Sequence, residues 1–207
     1  MKEVTLLDEI LLELGIDSRN NLDELSQDEL KRILAELIYR KEHNERNLML
    51  VKKVLDKTYS EEEANFYYEI IEWMYIGKDK NEIINKYANG NYSNNMFCRT
   101  GTKAFWDIEA QILIKRGYPN VKDVLSKMFV WLQDLNWPGA MEISELLSSV
   151  DKEIIIPCLE EIATLAKKQN DIGWLYWLGD FMEKNQLKKE DFKNKDIYEL
   201  LEKSTDM

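Results

Sequence analysis

The sequence is poor in the residues that most often carry chemistry. Its 207 residues hold one histidine, His43, two cysteines, Cys98 and Cys158, and three prolines. A zinc site of Cys and His would have to recruit all three Cys/His residues from separate regions, and none of the usual ligand spacings occurs. A Ser-His-Asp or Cys-His hydrolase would rest wholly on His43. That residue stands in the polar run Lys41-Glu42-His43-Asn44-Glu45, has no nucleophile signature nearby, and reads as a solvated surface side chain. The cysteines lie far apart and outside any Cys-x-x-Cys motif, so no disulfide scaffold is expected and a reducing cytoplasm is the natural compartment. No apolar run approaches the roughly 20 residues of a membrane span. The N-terminus, Met1-Lys2-Glu3-Val4, lacks the basic-then-apolar pattern of a secretory signal. Neither a Gly-x-Gly-x-x-Gly nor a Gly-x-x-x-x-Gly-Lys-Ser/Thr phosphate cradle is present, and no Glu-x-x-His pair suggests a di-metal bundle. The sequence therefore implies no metal, no cofactor and no catalytic residue.

Acid and apolar residues are plentiful. Acidic residues number 39 against 28 basic, for a net charge of −11. The excess is spread along the chain, 20 against 14 in residues 1–100 and 19 against 14 in residues 101–207. Such an average field disfavours nucleic acid, whose binding is driven by phosphate neutralisation, and favours approach of a basic partner. Glu61-Glu62-Glu63 and Glu160-Glu161 read as solvated faces and helix N-termini, where the helix dipole stabilises acids. A content of 44 % hydrophobic and 11 % aromatic residues is ample for a core and excludes disorder over most of the chain.

Apolar residues recur at three- and four-residue intervals almost throughout, the signature of amphipathic helices. Residues 3–14 place Val4, Leu7, Leu11 and Leu14 on one stripe before Gly15. Ser26 and Glu29 form a capping box ahead of Leu30, Ile33, Leu34, Leu37 and Ile38. A third helix over 44–57 carries Leu48, Val51, Val54 and Leu55. Ser60 and Glu63 repeat the capping box before Phe66, Tyr67, Ile70, Ile71 and Met74, with Gly77 as the stop. Asp79 and Glu82 open a short fifth helix through Ile83, Ile84 and Tyr87. The turn-rich stretch Asn89-Gly90-Asn91-Tyr92-Ser93-Asn94-Asn95 reads as a loop. It suggests a helical region over 1–88, a linker over 89–101 and a helical domain over 102–207. Periodicity resumes at Thr102 with Phe105, Ile108, Ile112 and Leu113, and halts at Gly117-Tyr118-Pro119.

No period-two strand is evident; Ile154-Ile155-Ile156 is β-branched but short and flanked by helix signals. Pro119, Pro138 and Pro157 are spaced 19 residues apart. The first two are expected in first helical turns, and Pro157 is expected to kink a helix or mark a late start. A helix and turn of that length, doubled, approaches the HEAT and armadillo period. The expected class is all-α, with about 10–11 helices in antiparallel hairpins stacked in a HEAT-like or α-solenoid-like manner.

Three segments carry a resemblance. Trp131-Leu132-Gln133-Asp134-Leu135-Asn136-Trp137-Pro138 resembles the signature of a bacterial family of unknown function, domain of unknown function 5071, in which a Trp-Leu-Gln-Asp-x-Asn-Trp-Pro run ends one helix and begins the next. Phe105-Trp106-Asp107-Ile108-Glu109-Ala110 is similar to its opening Asp-x-Glu-Ala segment, and Asp171-Ile172-Gly173-Trp174-Leu175-Tyr176-Trp177 to its closing Asp-Asp-x-x-Trp-x-Tyr-Trp segment. The likeness spans about residues 104–182. Two positions depart from it: Gly139, where a bulkier apolar residue is common, and Asp171, which follows Asn170. The resemblance implies a small HEAT-like helical domain and no particular reaction.

The residues themselves suggest architecture. Asp134 and Asn136 are turn and cap formers suited to the start of the helix containing Pro138, and Trp131 and Trp137 are large enough to fill a wedge between helices. Asp171 is placed to cap a helix whose Trp174, Trp177, Leu178 and Phe181 form a stripe. These eight positions (Trp131, Asp134, Asn136, Trp137, Pro138, Asp171, Trp174 and Trp177) are the candidates for structure or for partner contact, since Trp and Tyr dominate interface hot spots. The expected function is a non-enzymatic cytoplasmic interaction module, of the immunity or antitoxin kind, for a basic protein partner. The alternative is a helix-turn-helix regulator over residues 66–116, where Trp73–Lys78 and Asn81–Tyr87 resemble a first helix and turn, with Arg99 and Lys103 beyond. A third class, an enzyme using carboxylates alone, would need two convergent acids in a pocket.

Overall fold

The computed structural model describes residues 5–16, 22–40, 45–98 and 102–205. Every regular element among them is helical: eleven α-helices and four short 3-10 turns. The chain divides into two compact units, Met1–Ile83 and Ile84–Met207.

The first unit holds α1 (Leu6–Glu13), α2 (Gln27–Arg40), α3 (Glu45–Thr58) and α4 (Glu61–Ile76). Their starts are fixed locally. Thr5, Ser26 and Ser60 each accept a hydrogen bond from the backbone N–H three residues on, while Asp8, Glu29 and Glu63 reach back to the capping residue's own N–H. Each such cap is worth about 1 kcal/mol. The apolar stripe of α2 is buried as the periodicity predicts (Leu30, Ile33, Leu34, Leu37 and Ile38), and on α4 Phe66, Tyr67, Ile70 and Ile71 are buried while Met74, the last of the predicted stripe, is half-buried. In α1 the stripe differs: Ile10 and Leu11 are buried, whereas Leu7 and Leu14 are half-exposed. Val4, the remaining residue of the predicted stripe, lies outside the described residues. Arg40 at the end of α2 ties down α1 through Glu9 and Glu13 and pairs with Glu36 one turn earlier. The Tyr75 hydroxyl of α4 donates to the Leu37 carbonyl of α2 at 3.1 Å.

Helix α5 (Lys80–Asn89) contains the division point between the units. The second unit continues with a 3-10 turn (Asn94–Phe97), α6 (Trp106–Arg116), a run of three short elements over 122–133 that includes α7 (Leu125–Met128), then α8 (Ala140–Ser148), α9 (Lys152–Gln169), α10 (Ile172–Lys184) and α11 (Lys195–Ser204). Helix α10 lies against both α9 and α11, α11 also touches α9, and α6 packs on α8. Ser204 of α11, fully buried, donates to the Leu175 carbonyl of α10 at 2.8 Å. Residues 89–98 belong to this second unit.

The proline spacing is not a spacing of helix starts. Pro119 follows a cis bond in a turn ahead of the 3-10 turn at Lys122. Pro138 sits two residues before α8, and Pro157 lies inside α9, whose helix begins five residues earlier at Lys152. Pro157 is exposed, as is Glu153, whose carbonyl receives no N–H from the proline ring.

Candidate functional site

The three family-like segments meet in the second unit. Phe129–Gln133 forms a 3-10 turn that drives Trp131 fully into the core, where its indole N–H donates to the Pro138 carbonyl at 3.2 Å. The Asp134 carboxylate then accepts from both the backbone N–H and the side-chain amide of Asn136, each at 2.9 Å, and the Trp137 N–H donates to the Asp134 carbonyl at 3.0 Å. These bonds close a tight Asx turn. Asp134 and Asn136 therefore stabilise their own turn and do not cap the following helix, contrary to the expectation. The residue before α8 is Gly139, at φ 80°, with no side-chain cap.

Gly139 explains the departure from the family run. A Cβ built there would lie 2.3 Å from the Ala110 Cβ of α6, within a close approach that also brings the Trp106 carbonyl and the Trp131 indole nitrogen near. Opening and central segments are thus pressed together through a position that only glycine fills at that backbone angle. The Trp106 and Trp137 rings meet at a tilt of 55°, 5.3 Å between centroids, and the Lys103 ammonium lies 5.1 Å from the Trp137 ring and 5.6 Å from the Trp106 ring.

The closing segment joins from α10. The Asp171 carboxylate accepts the Trp174 N–H at 3.0 Å and caps the helix. The Trp174 indole, buried, donates to the Phe129 carbonyl at 3.2 Å, and Phe129 meets Phe181 edge-on at 5.2 Å. Trp177 is half-buried and contacts the Tyr176 ring at 5.0 Å. One turn apart on α10, Ile172 is 56 % exposed and Tyr176 39 %. The segment thus turns Trp174 inward and leaves Ile172 and Tyr176 toward solvent, with Trp177 half-buried beside them.

Two features were not read from the sequence. Glu109 on α6 is fully buried, although acids were expected on solvated faces; its signal was its place four residues after Phe105 and four before Leu113, on the apolar stripe. Arg116 at the end of α6 is the other. Its guanidinium donates to the carbonyls of Tyr87, Gly90 and Tyr92 and to the Asn94 side chain, and lies over the Phe97 ring at 4.9 Å. Asn94, itself buried, donates onward to Asp123 and to the Asn120 carbonyl. Gly90 lets this loop close, because a Cβ there would fall 2.3 Å from the Tyr92 ring. Desolvation lowers the Arg116 pKa from its ordinary value, an effect partly opposed by Asp123.

The remaining candidates contribute little chemistry. Burial pushes the Cys98 thiol up to about 12, with Lys127 opposing and Glu109 and Asp123 reinforcing the shift, so it stays protonated at neutral pH. Both cysteines are unpaired. Among the described residues no group of three His, Cys, Asp or Glu is arranged to hold a metal, and no helix is long and apolar enough to cross a membrane. His43 and Arg99 lie outside the described residues. After α5, where a DNA-reading helix would begin, the chain forms the loop around Arg116 and a four-residue 3-10 turn with Asn94, Met96 and Phe97 buried. The family model for a domain of unknown function (DUF5071) matches residues 102–206. No curated protein and no solved structure matches the chain.

Proposed function

Because the chain belongs to the DUF5071 family over residues 102–206, and because Trp131, Asp134, Asn136, Asp171 and Trp174 of its shared segments are spent on packing, capping and turn closure, we propose that it is a non-enzymatic helical module that binds another protein. The reading is of a cytoplasmic protein with HEAT-like stacked hairpins that neutralises or holds a basic partner, as an immunity protein or antitoxin does. The observation that supports it is the exposed pair Ile172 and Tyr176 on α10, flanked by the half-buried Trp177, in the segment whose Trp174 is consumed by packing. Exposed aromatic and aliphatic side chains held on a rigid helix are the usual anchors of a protein interface. The net charge of −11 supplies long-range attraction for a basic surface.

The test is affinity capture from the native cytoplasm with the wild-type chain and with the Ile172→Asp, Tyr176→Ala double variant, at low and high salt. Both side chains are exposed, so the fold should survive. A basic protein retained by the wild type, lost from the variant and weakened by salt supports the reading. Identical capture by both chains removes it.

A further inference from the structure

Asn89 and Gly90 form the one Asn-Gly pair in the sequence. Asparagine is among the chemically labile side chains, and a following glycine leaves it most open to attack, because no Cβ screens the next backbone nitrogen. In that reaction a bond forms from the Gly90 nitrogen to the Asn89 Cγ. The Cγ–Nδ2 bond breaks, ammonia leaves with the Gly90 proton, and a cyclic succinimide closes. Water then opens the ring to aspartate or to isoaspartate. Water enters, ammonia departs, and nothing is oxidised.

The fold supplies one reacting group and withholds the other. The Asn89 side chain is exposed and makes no hydrogen bond among the described residues. The Gly90 N–H is committed to the Lys86 carbonyl at 3.0 Å, where α5 ends. The Gly90 carbonyl accepts from Arg116 at 3.2 Å, and the same guanidinium holds the carbonyls of Tyr87 at 2.8 Å and Tyr92 at 2.7 Å, on either side of the pair. The Tyr92 ring closes over the Gly90 Cα. Cyclisation needs the Gly90 nitrogen turned onto Cγ, which means rotating a backbone tied before, at and after the reacting bond. We propose that Asn89 is a deamidation site kept latent by the end of α5 and by Arg116, and that its conversion releases the loop. Isoaspartate routes the main chain through the former side chain and lengthens it, so Gly90 and Tyr92 lose register with the guanidinium. None of this depends on the reading of α10 as a partner surface.

Ageing the whole protein in mildly alkaline buffer, native and unfolded in guanidinium chloride, tests this. Peptide mapping reads the mass gain of amide to acid, and isoaspartyl-specific methyl transfer reads the isomer. Asn89 should convert at least about tenfold more slowly in the native protein than in the unfolded chain, the factor for one charged hydrogen bond held closed. Arg116→Ala should recover most of that factor, and Arg116→Lys, the milder change, which keeps the charge and loses the fork, should fall between. Asn89→Gln should abolish the mass gain in that peptide, and amide exchange over residues 87–94 should be faster in aged than in fresh wild type. Native conversion as fast as unfolded, wild-type rates in both Arg116 variants, a mass gain that survives Asn89→Gln, or unchanged exchange after ageing would overturn the proposal.

Discussion

Replacing Gly139 by alanine puts two independent penalties on one atom. The residue sits at φ 80°, where a Cβ costs about 1–2 kcal/mol. That Cβ would also stand 2.3 Å from the Ala110 Cβ, so α6 and the turn before α8 must separate. Overpacking of this kind costs about 1–3 kcal/mol. The expected loss is about 3 kcal/mol for the second unit, and each kcal/mol lowers the melting temperature of a body this size by about 4 °C. Circular dichroism melts and urea denaturation of the full chain measure both. A companion variant separates the penalties: Ala110→Gly removes the opposing methyl at a helix-interior cost of about 1 kcal/mol. In the double variant the steric part should vanish and the backbone part remain, leaving the double less destabilised than the sum of the singles by about 1–2 kcal/mol. Gly139→Ala with a loss below about 0.5 kcal/mol, the level of an ordinary surface change, would refute the close approach.

Arg116→Ala should free the loop over residues 87–98, leaving the carbonyls of Tyr87, Gly90 and Tyr92 without their donor, at a cost of about 3 kcal/mol. Hydrogen exchange confined to that segment is the readout. Trp174→Phe keeps a buried ring but removes the donor to the Phe129 carbonyl, and should cost about 2 kcal/mol in denaturant titration. The Cys98 thiol is raised in the folded state to about 12, so its contribution is present below the ordinary thiol pKa and lost as pH climbs toward 12. Cys98→Ala should flatten the stability profile in that alkaline window, and in the native protein thiol reagents at neutral pH should label Cys158 well before Cys98.

Much of the local structure was legible in order of residues. Ser26 with Glu29 and Ser60 with Glu63 announce two helix starts because the capping bonds span three residues and need nothing else. Asp171 caps α10 for the same reason. The apolar stripe of α2 is buried, and that of α4 as far as Ile71, as the 3.6-residue period requires. Asp134 was legible as a turn former and misread in its target, because which N–H a carboxylate meets depends on the path taken through Gly139. The proline spacing misled because Pro119 lies in a turn and Pro157 within α9, so equal spacing in sequence did not mark equivalent places in the helices.

The sequence by itself determined that the described residues are helical, where α2, α4 and α10 begin, and the buried stripe of α2, since those follow from bonds and periods within a few residues. Only the tertiary structure decided that Arg116 gathers the carbonyls of residues 87–92, that Glu109 is buried, that Gly139 meets Ala110 across 29 positions of chain, and that Trp174 is consumed by packing while Ile172 and Tyr176 remain outside. Each of those depends on which distant surface a helix face lands against, and burial and close approach belong to the pair of surfaces, not to either stretch of chain alone.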